Sequence, residues 1–400
     1  MTPKIPFRRV LIVADESADW IIAGLPQLDR LFLAIDEFAL ENNETAPVLV
    51  CIFWRPDLEA AQRWVPRNEQ VTRIAFTTEL DGKPFDLILG TRLFLYRKAI
   101  RKLLESSVVP VGETVSSGKM ELWESNFHSI ETLPPFCERA WEYVKTGEQI
   151  DEIEIRFLRE CGKSQDSLVS WYLDRRISRF ISRLLLRFPT TPNAFTWLIF
   201  PIAIVAALIL CNGTYGSFVW ALLLFEVFSI LDGCDGEIAR ARYLESERGR
   251  QLDHLFDVCG NILLVLGLGF GLAKQASLAG HSGWFYTLEG TVAALLIGMN
   301  ESYLGSRSVG ESAGELEALD GLLYPRHREL VERSGILLLG RRFTYWAIQL
   351  TKRDFAALFF VFLAIVGLPS LILHLLIVVA AITLTLALRS RLPQQSAPEV

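Results

Sequence analysis

The sequence predicts a soluble, doubly wound α/β domain followed by an all-α polytopic membrane domain. Three observations predict it. Residues 1–160 alternate short β-branched runs with helical patterns. Residues 193–392 hold long apolar stretches that carry very few charges. Between them lies a segment in which arginines and apolar residues recur at helical spacing. The bulk composition agrees. Of 400 residues, 51% are hydrophobic and 22% charged, and the mean hydropathy is +0.30. The net charge of −6 gives no general basic surface, which argues against a nucleic-acid binder. Eleven per cent aromatics exclude a disordered chain.

The first domain is assigned to residues 1–160. Its expected order is the strand RVLIVA, the helix LPQLDRLFLAIDEFALEN, the strand PVLVCIFW and the helix DLEAAQRWV. The strands VTRIAFT and FDLILG, the helix RKAIRKLLES and the strand VVPVG follow. This domain is acidic, with 26 acids against 19 bases. The stretch from Met1 to Asp15 reads as a basic pair before a strand rather than as a secretory signal. The six cysteines are scattered with no C-x-x-C, as expected of reduced core residues.

Residues 161–192 form the expected juxtamembrane segment. Within it Leu168, Trp171, Tyr172, Ile177, Phe180, Ile181, Leu184 and Leu185 share helical spacing, and Arg175, Arg176, Arg179, Arg183 and Arg187 fill much of the remainder. This pattern predicts an interfacial amphipathic helix on an anionic bilayer surface. The membrane domain, 193–392, divides into six spans, near 193–211, 216–238, 253–273 and 284–304, then two parted at Pro369; residues 393–400 are a tail. The basic residues gather in alternate connections, which predicts a multi-pass protein of the cell (inner) membrane with the site and both termini cytoplasmic.

The chemistry concentrates in LDGCDGEIARARYLESERGRQLDHLFD. Asp232 and Asp235 are three apart on one helix face; Gly249, Asp253 and Asp257 follow at steps of four on another. Aspartates at the ends of apolar helices are costly and repel one another, so compensating cations are implied. An oxygen-only ligand set suits Mg²⁺ or Mn²⁺ rather than Zn²⁺, and such ions usually accompany a phosphate substrate. Gly236 and Gly249 leave room for a ligand beside the backbone, and Arg240 is placed to reach a phosphate. Solvated helix ends, a cation-coupled transporter using the aspartates, and an inactive membrane scaffold are the competing readings. The absence of an internal repeat speaks against the transporter.

The spacing D-x-x-D-G-x-x-A-R-x8-G-x3-D-x3-D resembles the signature of the CDP-alcohol phosphotransferases. Asp232, Asp235, Gly236, Ala239, Arg240, Gly249, Asp253 and Asp257 meet it without departure. A T-P-N segment, Thr191 to Asn193, opens the first span. The resemblance covers about 165–392. It implies that Asp232, Asp235 and Asp253 hold two divalent ions on the diphosphate of a CDP-alcohol, lipid-linked or soluble. Asp257 would share in coordination and act as general base. Gly236, Ala239, Arg240 and Gly249 would line the nucleotide pocket, with Asn193, Thr196 and Ser246 beside them. The implied reaction moves a phosphatidyl or alcohol-phosphate group to the hydroxyl of a polar alcohol, releases CMP, and serves phospholipid synthesis. A homodimer in the bilayer is also implied.

An α/β domain before such a module resembles the fused inositol-phosphate cytidylyltransferase/CDP-alcohol transferase proteins. Active cytidylyltransferase domains need a glycine-rich loop with a basic residue after the first strand. Here that place reads VADESADWIIAG, with Asp15, Glu16 and Asp19, so residues 1–160 are expected to be a degenerate scaffold; a bifunctional enzyme is the alternative. The long 305–350 connection reads as a cytoplasmic insertion, and Arg307 and Arg353 flank it as candidate acceptor-binding cations.

Overall fold

A computed structural model of the chain describes residues 8–42, 47–54, 71, 73–105, 140–161, 170–305 and 352–389. They form two compact units.

The first unit is built on a four-stranded parallel sheet of β1 (Arg9–Ala14), β4 (Val48–Trp54), β5 (Ile74–Thr77) and β6 (Leu87–Gly90), in the order β5-β4-β1-β6. β1 pairs with β4 from Arg9↔Leu49 to Ala14↔Trp54, and with β6 from Val10↔Leu87 to Val13↔Gly90. β1 can be central because RVLIVA is apolar on both faces, and Val10 to Ala14 are all buried. Helix α1 (Gln27–Glu41) sets Leu28, Leu31, Phe32, Ile35 and Phe38 into the same core as Val10, Ile12, Val50 and Leu87. Helix α2 (Ala99–Glu105) adds Ile100 and Leu103.

These strands and helices are those expected from the sequence. Three features are additional. β2 (Ile21–Ile22) pairs with β3 (Leu25–Pro26), and β7 (Leu93–Leu95) pairs antiparallel with β8 (Trp141–Tyr143). Helix α3 spans Ile150–Glu160. The two strand pairs are too short to show a period of two, and β7 meets its partner from far along the chain. The expected helix at 57–65 and strand at 108–112 lie outside the described residues.

The second unit is helical. A π-turn at Ser170–Asp174 leads into α4 (Arg175–Leu185). Then come α5 (Pro192–Leu210), α6 (Tyr215–Ala241), α7 (Glu247–Leu278), α8 (Trp284–Gly305), α9 (Arg353–Ile365) and α10 (Pro369–Arg389). The last six fall on the six apolar segments read from the sequence. Of these, α5, α6 and α7 are long and apolar enough to cross a bilayer, and Pro369–Thr385 is a shorter apolar helix. α5 starts where Thr191 caps it with Pro192 in the first turn. α7 starts where the Ser246 hydroxyl accepts from Gly249 N at 3.0 Å.

Glycines bring the helices close. A Cβ at Gly271 of α7 would lie 2.1 Å from the Leu210 carbonyl oxygen of α5, and one at Gly269 would lie 2.8 Å from the Tyr286 carbonyl oxygen of α8. No larger residue permits these approaches, so packing here relies on backbone contact. The core joins Phe195, Ile199 and Leu210 with Phe225, Phe228, Leu264, Leu268, Phe360 and Ile372. Among the described residues the cysteines are free thiols, as expected.

Candidate active site

The carboxyl end of α6 and the first turns of α7 bring three aspartates together. Asp232, Asp235 and Asp253 each offer a carboxylate oxygen within 4.8 Å of the others. Asp232 and Asp235 are buried. The Thr196 hydroxyl of α5 lies 2.6 Å from Asp235 Oδ2 and orients that carboxylate. Asp232 Oδ1 is buried and accepts no hydrogen bond. Buried acceptors without a donor are rare, and an oxygen-only cluster holding one fits a hard divalent cation.

Asp257 stands on the same helix as Asp253 but outside this triad. The Arg353 guanidinium, at the first residue of α9, links them: one arm donates to Asp257 Oδ1 and the other to Asp232 Oδ2. Asp257 remains part-exposed, with 31% of its side chain accessible, against 8% for Asp232. The sequence offered Arg353 as a candidate acceptor-binding cation near the membrane; the structure sets it against two of the motif aspartates. Arg307 lies outside the described residues.

The nucleotide-pocket candidates fall into two groups. A Cβ at Gly249 would meet Asn193 Oδ1 and Ser246 Oγ, each at 3.0 Å, so these three residues line one small space. A Cβ at Gly236 would sit 3.2 Å from both terminal nitrogens of Arg240. Arg240 also donates from Nε to the Cys161 carbonyl. Ala239 lies part-buried one turn beyond Asp235.

Sequence reasoning missed Glu237. It is wholly buried within the motif, between Asp235 and Ala239. Arg175 Nη1 donates to its Oε1 at 3.0 Å, Ser178 Oγ at 2.8 Å, and Ser182 Oγ donates to its Oε2 at 2.7 Å. All three donors sit on α4. The signal was an arginine and two serines at steps of three and four, opposite the apolar stripe. Arg175 was grouped with the membrane-facing arginines and is instead buried against Glu237. Of the apolar stripe, Tyr172, Ile177, Phe180 and Leu184 are exposed, Phe180 to 74% and Tyr172 to 60%, whereas Ile181 and Leu185 pack part-buried against the helical core and Leu168 lies outside the described residues.

In the first unit, Asp15 follows β1 and Thr91 follows β6, at the point where the strand order reverses. Ligands of open α/β sheets usually bind there. Here the Asp15 carboxylate accepts from Ser17 N at 2.8 Å, Thr91 Oγ1 at 3.1 Å and Arg92 Nε at 2.6 Å. Arg92 also reaches Glu16 at 2.8 Å. Burial raises the Asp15 pKa, but the donors from Ser17 and Arg92 outweigh it and hold the carboxyl below its ordinary value. The sequence showed no cation near Asp15; Arg92 supplies it from the end of β6.

Residues 189–311 match the CDP-alcohol phosphatidyltransferase family. That stretch holds every aspartate of the cluster. The chain is 38% identical over 160 residues to a "Bifunctional IPC transferase and DIPP synthase" of Thermococcus kodakarensis, covering 36% of each chain. It is 35% identical over 199 residues to a protein of the same name from Rubrobacter xylanophilus, covering 48% of this chain and 43% of that one. The chain thus matches less than half the length of either relative.

Proposed function

We propose that the protein is a membrane phosphotransferase that moves a phosphatidyl or alcohol-phosphate group from a CDP-alcohol to an acceptor hydroxyl and releases CMP. The convergence of Asp232, Asp235 and Asp253 within the matched stretch carries this reading. In it, the three aspartates hold two Mg²⁺ or Mn²⁺ ions. Bound ions supply charge neutralisation on the diphosphate and the departing CMP. Asn193, Thr196, Ser246 and Gly249, with Gly236, Ala239 and Arg240, frame the nucleotide. The bond from the β-phosphorus to CMP breaks as the acceptor oxygen bonds to that phosphorus. Asp257 takes the acceptor's proton, a role supported by its standing apart from the triad and more open to solvent. Arg353, between Asp232 and Asp257, is positioned for an anionic acceptor, with Arg307 as a second candidate.

The domain assignment 1–160, 161–192, 193–392 and 393–400 belongs to this reading. So do six spans, a homodimer, and a multi-pass placement in the cell membrane with the site and both termini cytoplasmic. The exposed apolar face of α4 supports an interfacial helix. In residues 1–160, the Asp15–Ser17–Thr91–Arg92 network fills the place a nucleotide would take, which supports a degenerate cytidylyltransferase-like domain. The alternative is a bifunctional enzyme, as the relatives' names state of them.

The test is CMP release from CDP-diacylglycerol by the full-length protein in lipid nanodiscs, with phosphorylated and plain polyols as acceptors. Metal-dependent release abolished by excess EDTA is expected; release unaffected by EDTA overturns the metal assignment. Pyrophosphate formed from CTP and a sugar phosphate would establish the bifunctional alternative.

A further inference from the structure

Two turns before the aspartate cluster, α6 carries a polar pair that the reaction above does not use. Glu226 is 7% exposed, and both of its carboxylate oxygens are buried without a hydrogen-bond partner. Ser229, one turn closer to the cluster and equally buried, has an unpartnered hydroxyl. The rise of a helix puts Glu226 only about 9 Å along the axis from Asp232. Glu226 faces the charges of Asp174 from the π-turn and of Asp354 and Arg353 from α9. Arg353 in turn spans Asp232 and Asp257, and its guanidinium lies 6.0 Å from the Phe228 ring. Charged groups of three elements thus gather between Glu226 and the proposed base, Asp257.

Among the described residues no hydrogen bond satisfies the pair. A buried polar group lacking partners is costly, and an apolar residue would pack better. The chemistry around the pair selects its ligand. The neighbouring carboxylates repel an anion, so a phosphate is confined to the Arg353 end. Among the described residues no three acidic side chains around Glu226 converge as Asp232, Asp235 and Asp253 do, so nothing there favours a metal ion. A carboxylate presents two acceptor oxygens to two hydroxyl donors, and a serine hydroxyl can donate or accept.

We propose that Glu226 and Ser229 are specificity-determining residues that bind the non-reacting hydroxyls of a polyol acceptor. This rests on the phosphotransfer reading, because the pair matters to the acceptor only if the attacking hydroxyl is at Asp257. Glu226 takes two hydroxyls and Ser229 a third, so an acceptor with one spare hydroxyl gains little.

The test is equilibrium binding by the full-length protein in nanodiscs. The probes are radiolabelled myo-inositol 1-phosphate and glycerol 3-phosphate, which has one hydroxyl left once the attacking one is set aside. Wild type, Glu226→Gln and Ser229→Ala are compared, with CDP binding in Mn²⁺ as the check of folding. Hydrogen bonds to a charged group correspond to roughly 10–100-fold in affinity. Inositol phosphate binding should therefore weaken by about that factor in Glu226→Gln and by several-fold in Ser229→Ala. Glycerol phosphate should change less than about threefold, and CDP binding should hold. Equal loss of both probes, unchanged inositol phosphate binding, or a wild type that does not prefer the polyol would overturn the inference. Failure of wild type to release CMP in the separate assay would overturn the phosphotransfer reading instead.

Discussion

Asp257 and Asp232 touch the same guanidinium but face different surroundings. The buried Asp232 joins the triad; the more open Asp257 does not. Asp257→Asn should therefore lower turnover by roughly 10²–10⁴-fold while leaving CDP binding intact. Asp232→Asn should weaken metal-dependent CDP binding. Equilibrium CDP binding beside steady-state kinetics checks both, and equal loss of binding in the two variants would reverse the roles. Glu237 makes a different prediction. Its removal takes away the buried carboxylate that accepts from Arg175, Ser178 and Ser182, a loss of about 3–5 kcal/mol. Glu237→Ala should lower the thermal unfolding midpoint sharply, as read by intrinsic fluorescence in detergent. A midpoint within about 2 °C of wild type would mean that the clamp carries little of the fold.

At the scale of elements, α5, α7 and α8 meet through backbone. Gly271→Leu sets a side chain against the Leu210 carbonyl and should destabilise the unit by at least 1–3 kcal/mol, about the cost of overpacking. Gly216→Ala, where a Cβ meets nothing within 4 Å, should be neutral or stabilising by up to about 1 kcal/mol. Matched melts of the two variants check the contrast. The elements themselves were largely legible. β1, β4, α1 and the six apolar helices each announce a period or a run, and Asp232 with Asp235, like Asp253 with Asp257, lies at a step that dictates a shared helix face. Pairings made far along the chain were not legible. β7 with β8, Glu237 with the serines of α4, and Arg353 with Asp257 join residues separated by dozens of positions. Local periodicity has no access to them. Arg92 at Asp15 is the same lesson in the sheet domain, where a nearby basic residue was sought only along the β1 loop.

For the molecule as a whole, the two units should answer differently to acid. Asp15 has its folded pKa held below the unfolded value of about 3.9, so its contribution is present above that value and fades as pH falls through the lower folded one. Arg92→Met removes a donor and a counter-charge and leaves the burial. The acid unfolding of the sheet unit should then begin at higher pH than in wild type. Tryptophan emission followed between about pH 5 and 2 checks this, because Trp20 lies beside the Arg92 guanidinium. An unchanged onset would show that Ser17 and Thr91 suffice to hold the carboxylate.

On the proposed reading, Asp232 is claimed twice, by the Arg353 guanidinium and by a divalent ion. A cation seated at Asp232 would compete with that guanidinium, and two claimants on one carboxylate weaken each other's apparent affinity. The group so displaced would be a charged fork standing beside Asp257. Cation binding and readiness for an anionic acceptor would then be linked, and the order in which partners arrive would follow which charge Asp232 is holding.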